Sequence, residues 1–239
     1  MSDAELNKLE ICAVAHRGYA AKYPENTIRA LQEAINVGAT MVEFDVQITS
    51  EGLPLMIHDD NFKRTTGIDK SVFETTQGDL KSISELESIS SVREVMVWVK
   101  ANEGVTAFVE LKQESINHHG LEKCMAYLSK ACLSAIDSCV FISFNAAAVA
   151  LAKGVGFKEI GWVVLNYDEK GEGLSRALSP EYLFADKDML PVDGSRLWKG
   201  GWTWVIYEVV SKELARELYN RGARCIESKE IEHMISSHD

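Results

Sequence analysis

The stretch 41-MVEFDVQI-48 sets Met41, Val42, Phe44, Val46 and Ile48 around three polar residues, Glu43, Asp45 and Gln47. An apolar run of this length, rich in β-branched and aromatic residues, predicts a strand. Successive strand side chains alternate faces, so Glu43 and Asp45 project to the same side with Gln47 beyond them. Two like charges on one face of a buried strand are costly unless something neutralises them.

Outward from this strand, short apolar segments alternate with helical patterns over almost the whole 239 residues. The strands read as 11-ICAVAH-16, 41-MVEFDVQI-48, 105-VTAFVELK-112, 139-CVFISF-144, 158-KEIGWVVL-165, 182-YLFADK-187, 202-WTWVIYEV-209 and 224-RCIE-227. Helices are expected over 26–39, 84–102, 120–135, 145–155, 172–180, 194–200 and 211–222. In the first of these, Ile28, Leu31, Ala34 and Ile35 recur at the spacing of a one-sided helix. Asn26 reads as its N-cap and Gly38 as its stop.

Eight strands alternating with helices allow a (β/α)₈ barrel of the TIM type or an open doubly wound sheet. Near-continuous apolar strands suit parallel pairing buried on both faces. No GxGxxG opens the first helix, which counts against a dinucleotide-binding sheet. Polar residues gather at strand ends instead: His16 and Arg17, Glu110 and Lys112, Ser143, and Glu208. The C-terminal end of barrel strands is where catalytic groups collect, so the barrel is the expected fold. The segment 53-LPLMIHDDNFKRTTG-67 breaks the rhythm, reading as an extended piece that ends in His58 and runs into a loop. We expect one domain over 1–239, with a small insertion after the second strand, approximately 59–83, on the active-site face.

Composition bounds the chemistry. Hydrophobic residues make up 46% and charged residues 26%, as in an ordinary globular protein. A formal net charge of −11 argues against an electrostatic grip on nucleic acid. It leaves room for an anionic substrate, because a bound cation reverses the local sign. The opening residues show no basic segment followed by an apolar core, and no run approaches a membrane-spanning length. Cys12, Cys124, Cys132, Cys139 and Cys225 form no CxxC pair and read as reduced thiols, so a cytoplasmic location is expected.

Glu110 offers an answer to the paired charges. It lies late in an otherwise apolar strand, and adjacent parallel strands would bring it to Glu43 and Asp45. Three close carboxylates cannot all stay ionised without a cation, and oxygen ligands favour Mg²⁺ or Ca²⁺. The competing reading is a buried ion pair with Arg17 or Lys112; the third carboxylate favours the metal. His16 and His58 each follow an apolar strand directly, where a single histidine is commonly just a hydrogen-bonding residue. Two of them flanking a carboxylate strand can serve as general acid and general base. Arg17 and Lys112 add cations suited to a phosphate oxygen, or neutralise the carboxylates. His118, His119, His233 and His238 are expected at the surface.

The segments 15-AHRGYAAKYPENTIRAL-31, 43-EFDVQITSEGLPLMIHDDNFKRTTG-67 and 110-ELK-112 resemble the glycerophosphodiester phosphodiesterases. That pattern is HRG, then PENT, ExD, a strand ending in HD, and later E-[IL]-K, and it covers roughly the first half of the chain. The resemblance implies a metal-dependent hydrolase that cuts glycerophosphodiesters to glycerol 3-phosphate and an alcohol. It implies His16 and His58 as the acid–base pair, Glu43, Asp45 and Glu110 as the metal ligands, and Arg17 and Lys112 on the phosphate. Pro24 and Asn26 look structural, and Glu25 is within reach of the site.

The second half departs from the pattern. At the W/Y-T-V-N position stands 207-YEVV-210, and 227-ESK-229 replaces the closing I-T-D. None of these departures falls on an inferred metal or histidine position, so the chemistry is expected to be kept and substrate choice altered. Glu208 would read a hydroxyl or a cationic alcohol, or more simply form a salt bridge to Arg224 or Lys187. Trp198, Trp202 and Trp204 would accept an acyl chain, as in a lysophospholipase D acting on lysophospholipids, or simply pack. A catalytically inactive binding barrel is the remaining alternative. The expected partner is a small glycerophosphodiester, without nucleic acid or stable membrane insertion, and a homodimer is compatible with the sequence.

Overall fold

The structure, a computed structural model, describes residues 11–83 and 88–236. Eight parallel strands close on themselves: β1 (Cys12–Ala15), β2 (Met41–Ile48), β4 (Thr106–Leu111), β5 (Cys139–Ser143), β6 (Glu159–Val163), β7 (Tyr182–Asp186), β8 (Thr203–Tyr207) and β9 (Cys225–Ser228). Pairing of β1 with both β2 and β9 shuts the sheet into a (β/α)₈ barrel. A short ninth strand, β3 (Pro54–Met56), runs antiparallel to the end of β2, with Val46 opposite Met56.

Alternation decides what each face does. In β2, Val42, Phe44 and Val46 turn outward and join the large core under the helices. In β4, Ala107, Val109 and Leu111 do the same, while Phe108 enters a separate core inside the barrel. Val14, Val140, Ile142, Val163, Phe184, Val205 and Cys225 complete that inner layer. Burial of both faces explains why the strands are apolar almost throughout. The carboxylates of β2 therefore share the inward-facing set, one step above a greasy floor.

Helices α1 (Ile28–Asn36), α2 (Lys63–Thr66), α3 (Gln77–Ser82), α4 (Val92–Ala101), α5 (Gln113–His119) and α6 (Leu121–Cys132) precede β5. They are followed by α7 (Ala146–Ala152), α8 (Glu169–Leu178), α9 (Lys212–Arg221) and α10 (Ile231–Ile235). Ser91 opens α4 with a capping box to Glu94, so the helix expected from 84 begins at Val92; residues 84–87 lie outside those described. The helix expected over 194–200 does not form. Its backbone is claimed elsewhere: Leu197 N–H donates to the Arg221 carbonyl at 2.9 Å and Trp198 N–H to the Tyr167 hydroxyl at 3.1 Å. Arg221 also donates through Nε to the Ser195 carbonyl at 2.9 Å, which pins the segment as an irregular strap.

Between β2 and β4 the chain makes an excursion through β3, α2 and α3 with a small core of its own, Leu55, Ile57, Phe62 and Val72. His58 stands at the start of this excursion, where β3 ends.

Candidate active site

Register brings the carboxylates together. Asp45 and Glu110 are Cα partners across β2 and β4, and Glu43 precedes Asp45 on the same face. Each of the three offers an oxygen within 4.8 Å of the others. Around them a cavity of about 180 Å³ is lined by His16, Arg17, His58 and Lys112 together with Tyr207, Glu208 and Glu227. All seven residues expected at the site thus reach one cluster or its cavity.

The turn after β1 is built for close approach. Gly18 has φ 76°, and a β-carbon there would lie 2.5 Å from the Ala30 carbonyl carbon, so the loop rests directly on α1. Arg17 itself is held at φ 57°, a left-handed conformation costly for a long side chain. In return its backbone N–H donates to Glu43 Oε2 at 3.0 Å and its guanidinium contacts Glu25 and Asp45, each at 3.0 Å.

Asn26 is not the N-cap of α1; Thr27 takes that place, accepting from Ala30 N–H. Asn26 is instead spent on Asp45, donating from Nδ2 to Oδ2 at 2.9 Å and accepting from the Asp45 N–H at 3.1 Å. Its φ of 53° is one that asparagine tolerates better than most residues.

The expected second-half pairings need correction as well. Glu208 does not pair with Arg224 or Lys187. Its Oε1 lies 3.1 Å from Lys229 Nζ and 3.5 Å from His16 Nδ1. The departures from the family pattern therefore do bear on the site. Glu227, on the inward face of β9, joins His16 and Glu43 in a second set of donor atoms within 4.8 Å. The reason is parity: Cys225 faces the inner core, so Glu227, two residues on, faces inward at the mouth.

A chain of short contacts ties the excursion to the barrel. His58 Nδ1 meets Asp59 Oδ1 at 2.7 Å, and Arg64 Nε donates to the other Asp59 oxygen at 2.6 Å. Arg64 Nη2 donates to Glu25 at 2.7 Å, and Glu25 in turn accepts from Arg17. With Nδ1 donating to a carboxylate, His58 keeps Nε2 for other partners.

Charge in the cluster is divided unevenly. Burial pushes Asp45 upward, but Lys112 and Arg17 outweigh it and hold the group at about 2. Burial and the neighbouring Asp45 raise Glu110 to about 7, even against Lys112. Burial and Asp45 likewise raise Glu43 well above the usual range, and burial with Glu110 does so for Glu227. Burial, aided by Arg17, lowers His16 to about 4, so its imidazole is neutral. Lys112 bridges Glu110 at 2.8 Å and Asp45 at 3.3 Å, so the ion-pair reading and the metal reading both have contacts behind them.

The donor set still fits a hard cation. Glu43 is 1% exposed and its Oε1 has no hydrogen-bond partner, an expensive arrangement that an ion would relieve. These acidic groups could therefore hold a metal ion.

The tryptophans pack away from the cavity. Trp198 stacks on Tyr167 at 4.1 Å, Trp204 donates from Nε1 to the Trp198 carbonyl at 3.0 Å, and Trp202 faces Arg176. Among the other histidines, His118 and His233 are exposed, whereas half-buried His119 contacts the Ile48 carbonyl; His238 lies outside the described residues. All five cysteines are free. Among the described residues no helix is long and apolar enough to cross a membrane.

The family model described as the glycerophosphoryl diester phosphodiesterase family matches residues 16–151. Among curated proteins, the chain is 29% identical over 146 residues to the uncharacterized protein YqiK of Bacillus subtilis, covering 57% of this chain and 59% of that protein. It is 35% identical over 118 residues to a glycerophosphodiester phosphodiesterase of Bacillus altitudinis, covering 46% of this chain and 48% of that one. The chain thus spans about half the length of the curated relatives it matches. In structure it resembles an Oleispira antarctica phosphodiesterase in complex with the product sn-glycerol-3-phosphate, with TM-score 0.80 and 23% identity, covering 94% of this chain and 95% of that one. A glycerophosphodiester phosphodiesterase of Thermotoga maritima follows at TM-score 0.74 and 23% identity, with 93% and 96% covered.

Proposed function

Because the chain belongs to the glycerophosphoryl diester phosphodiesterase family, we propose that it hydrolyses glycerophosphodiesters to glycerol 3-phosphate and an alcohol. One observation carries this reading: His16, His58, Arg17 and Lys112 face the same cavity as a cluster of buried carboxylates. Two imidazoles, two cations and an oxygen-rich metal site are what an in-line displacement at phosphorus needs.

In this mechanism one imidazole takes the proton from the attacking group, either the glycerol 2-hydroxyl or a water. The other gives a proton to the departing alcohol oxygen as the P–O bond breaks. His16 suits the neutral, proton-accepting form, since burial lowers its pKa to about 4. His58 is oriented by Asp59, which leaves Nε2 as its transferring nitrogen. Arg17 and Lys112 stabilise negative charge on the non-bridging oxygens. Glu43, Asp45 and Glu110 would hold Mg²⁺ or Ca²⁺, and such an ion, when bound, supplies positive charge against those oxygens. Cytoplasmic action fits five free cysteines. The proposed unit is one domain over 1–239, with the insertion of approximately 59–83 carrying the groups that orient His58.

The test is glycerol 3-phosphate release from glycerophosphocholine and glycerophosphoethanolamine, with EDTA and then Mg²⁺ or Ca²⁺ added back. Release restored by metal supports both reaction and ligand set. Release insensitive to exhaustive chelation removes the metal, and no release with any metal overturns the proposed substrate class. Trp198, Trp202 and Trp204 do not line the cavity, so they lend the lysophospholipid alternative no support.

A further inference from the structure

We propose that His16, Glu43 and Glu227 form a second cation position, sharing Glu43 with the first and selecting a borderline ion such as Zn²⁺. It rests on the reading of the carboxylate cluster given above and adds an ion that this reading does not use.

The geometry supplies three donor atoms within 4.8 Å of one another, all buried. Glu43 reaches both sets, and only one of its oxygens is committed, Oε2, to the Arg17 N–H. Glu43 Oε1 and Glu227 Oε1 have no hydrogen-bond partner, on residues 1% and 3% exposed. A carboxylate oxygen buried this deeply without a partner is rare unless the group is protonated or bound. His16 turns Nε2 toward Glu43, 4.0 Å from Oε2, while Nδ1, without a hydrogen bond, faces Glu208 at 3.5 Å.

The chemistry of the donors distinguishes this position from the first. One imidazole with two carboxylates is a three-ligand set that leaves room for water and suits Zn²⁺. Glu43, Asp45 and Glu110 offer only oxygen and suit Mg²⁺ or Ca²⁺. Occupation of the second position engages the His16 lone pair, so it competes with proton transfer by that residue. The consequence is an enzyme that needs one ion and is inhibited by another.

The experiment is equilibrium dialysis of the full chain against Zn²⁺ alone and, separately, Mg²⁺ alone, with elemental analysis, for wild type, E227Q, D45N and the double variant. Wild type should retain one more Zn²⁺ per chain than E227Q, and one more Mg²⁺ per chain than D45N or the double variant. Under saturating Mg²⁺, the Zn²⁺ inhibition constant should rise in E227Q by at least the roughly 10–100-fold that losing a mere supporting partner costs a metal site. E227A, which removes both oxygens, should behave like E227Q, so a folding defect in one leaves the other to decide. Equal Zn²⁺ content in wild type and both Glu227 variants overturns the second position. Should D45N still lose its Mg²⁺ in that case, the first position survives; should it hold as much Mg²⁺ as wild type, the carboxylate-metal reading fails with it.

Discussion

Asn26 grips Asp45 from both sides, its amide on the carboxylate at 2.9 Å and its carbonyl on the backbone N–H at 3.1 Å. The residue lies outside α1, so helix formation does not need it, yet it fixes the rotamer of a candidate ligand. Asn26→Ala would strand the buried Asp45 N–H and leave alanine at φ 53°. The expected cost is about 2–4 kcal/mol, combining a lost buried partner with a left-handed penalty. Urea denaturation at fixed metal concentration measures it, and a change below ~0.5 kcal/mol would show that Asp45 holds its place unaided.

The two histidines should be separable from the fold. His16→Ala and His58→Ala are expected to lower kcat by ~10²–10⁴-fold each, the usual worth of a general acid or base. Far-ultraviolet circular dichroism should be unchanged. Near-normal turnover in either variant removes that imidazole from the mechanism.

Arg64 lies on the excursion, where it clamps Asp59 and Glu25 together. Arg64→Ala should reduce kcat more than it raises KM, because its effect travels through the orientation of His58 and Arg17. The loss should fall short of that in His58→Ala, and combining the two should add little. Additive losses would mean that Arg64 acts on substrate independently.

Glu110 links pH to stability in the metal-free protein. Its folded pKa of about 7 stands above the ordinary 4.5, so the folded chain binds more protons between those values. That contribution is full below pH 4.5 and is lost as pH rises through about 7. In EDTA, wild type should lose stability relative to Glu110→Gln across this window, read as the difference in thermal midpoint. Saturating Mg²⁺ should reverse the trend, since a bound cation favours the ionised form and stabilises wild type. A flat difference without metal would place Glu110 outside the proton-linked cluster.

Asp45→Asn removes the one carboxylate of the three held fully ionised, at about 2. Affinity for Mg²⁺ should fall by at least tenfold in direct titration, about 1.4 kcal/mol. An unchanged titration would make the cluster an ion-pair network with Arg17 and Lys112.

Period-two alternation in 41-MVEFDVQI-48 carried the inward face of β2, because a strand leaves only two faces to choose between. Eight such segments separated by helical patterns carried the barrel, because parallel strands buried on both faces must close or stack. The histidines were legible as the first polar residues after apolar strands. Partnerships were not. Asn26 read as a cap, since Asn before a helix is locally indistinguishable from one. By sequence Glu208 reads as a contact to an alcohol or as a partner of Arg224 or Lys187, whereas closure of β9 against β1 delivers Lys229 and His16. The strap at 194–200 has helical spacing, yet Arg221 from α9 takes the Ser195 carbonyl, and the Pro191 carbonyl just before the strap. Glu227 had a visible signal, its parity with Cys225, but its significance depended on which strand closed the ring. Local pattern therefore determined the strands, their inward faces and the residue types at their ends. Closure of the barrel decided which charges meet across strands, Glu110 with Asp45 and Glu227 with His16 and Glu43, because those residues are distant in the chain.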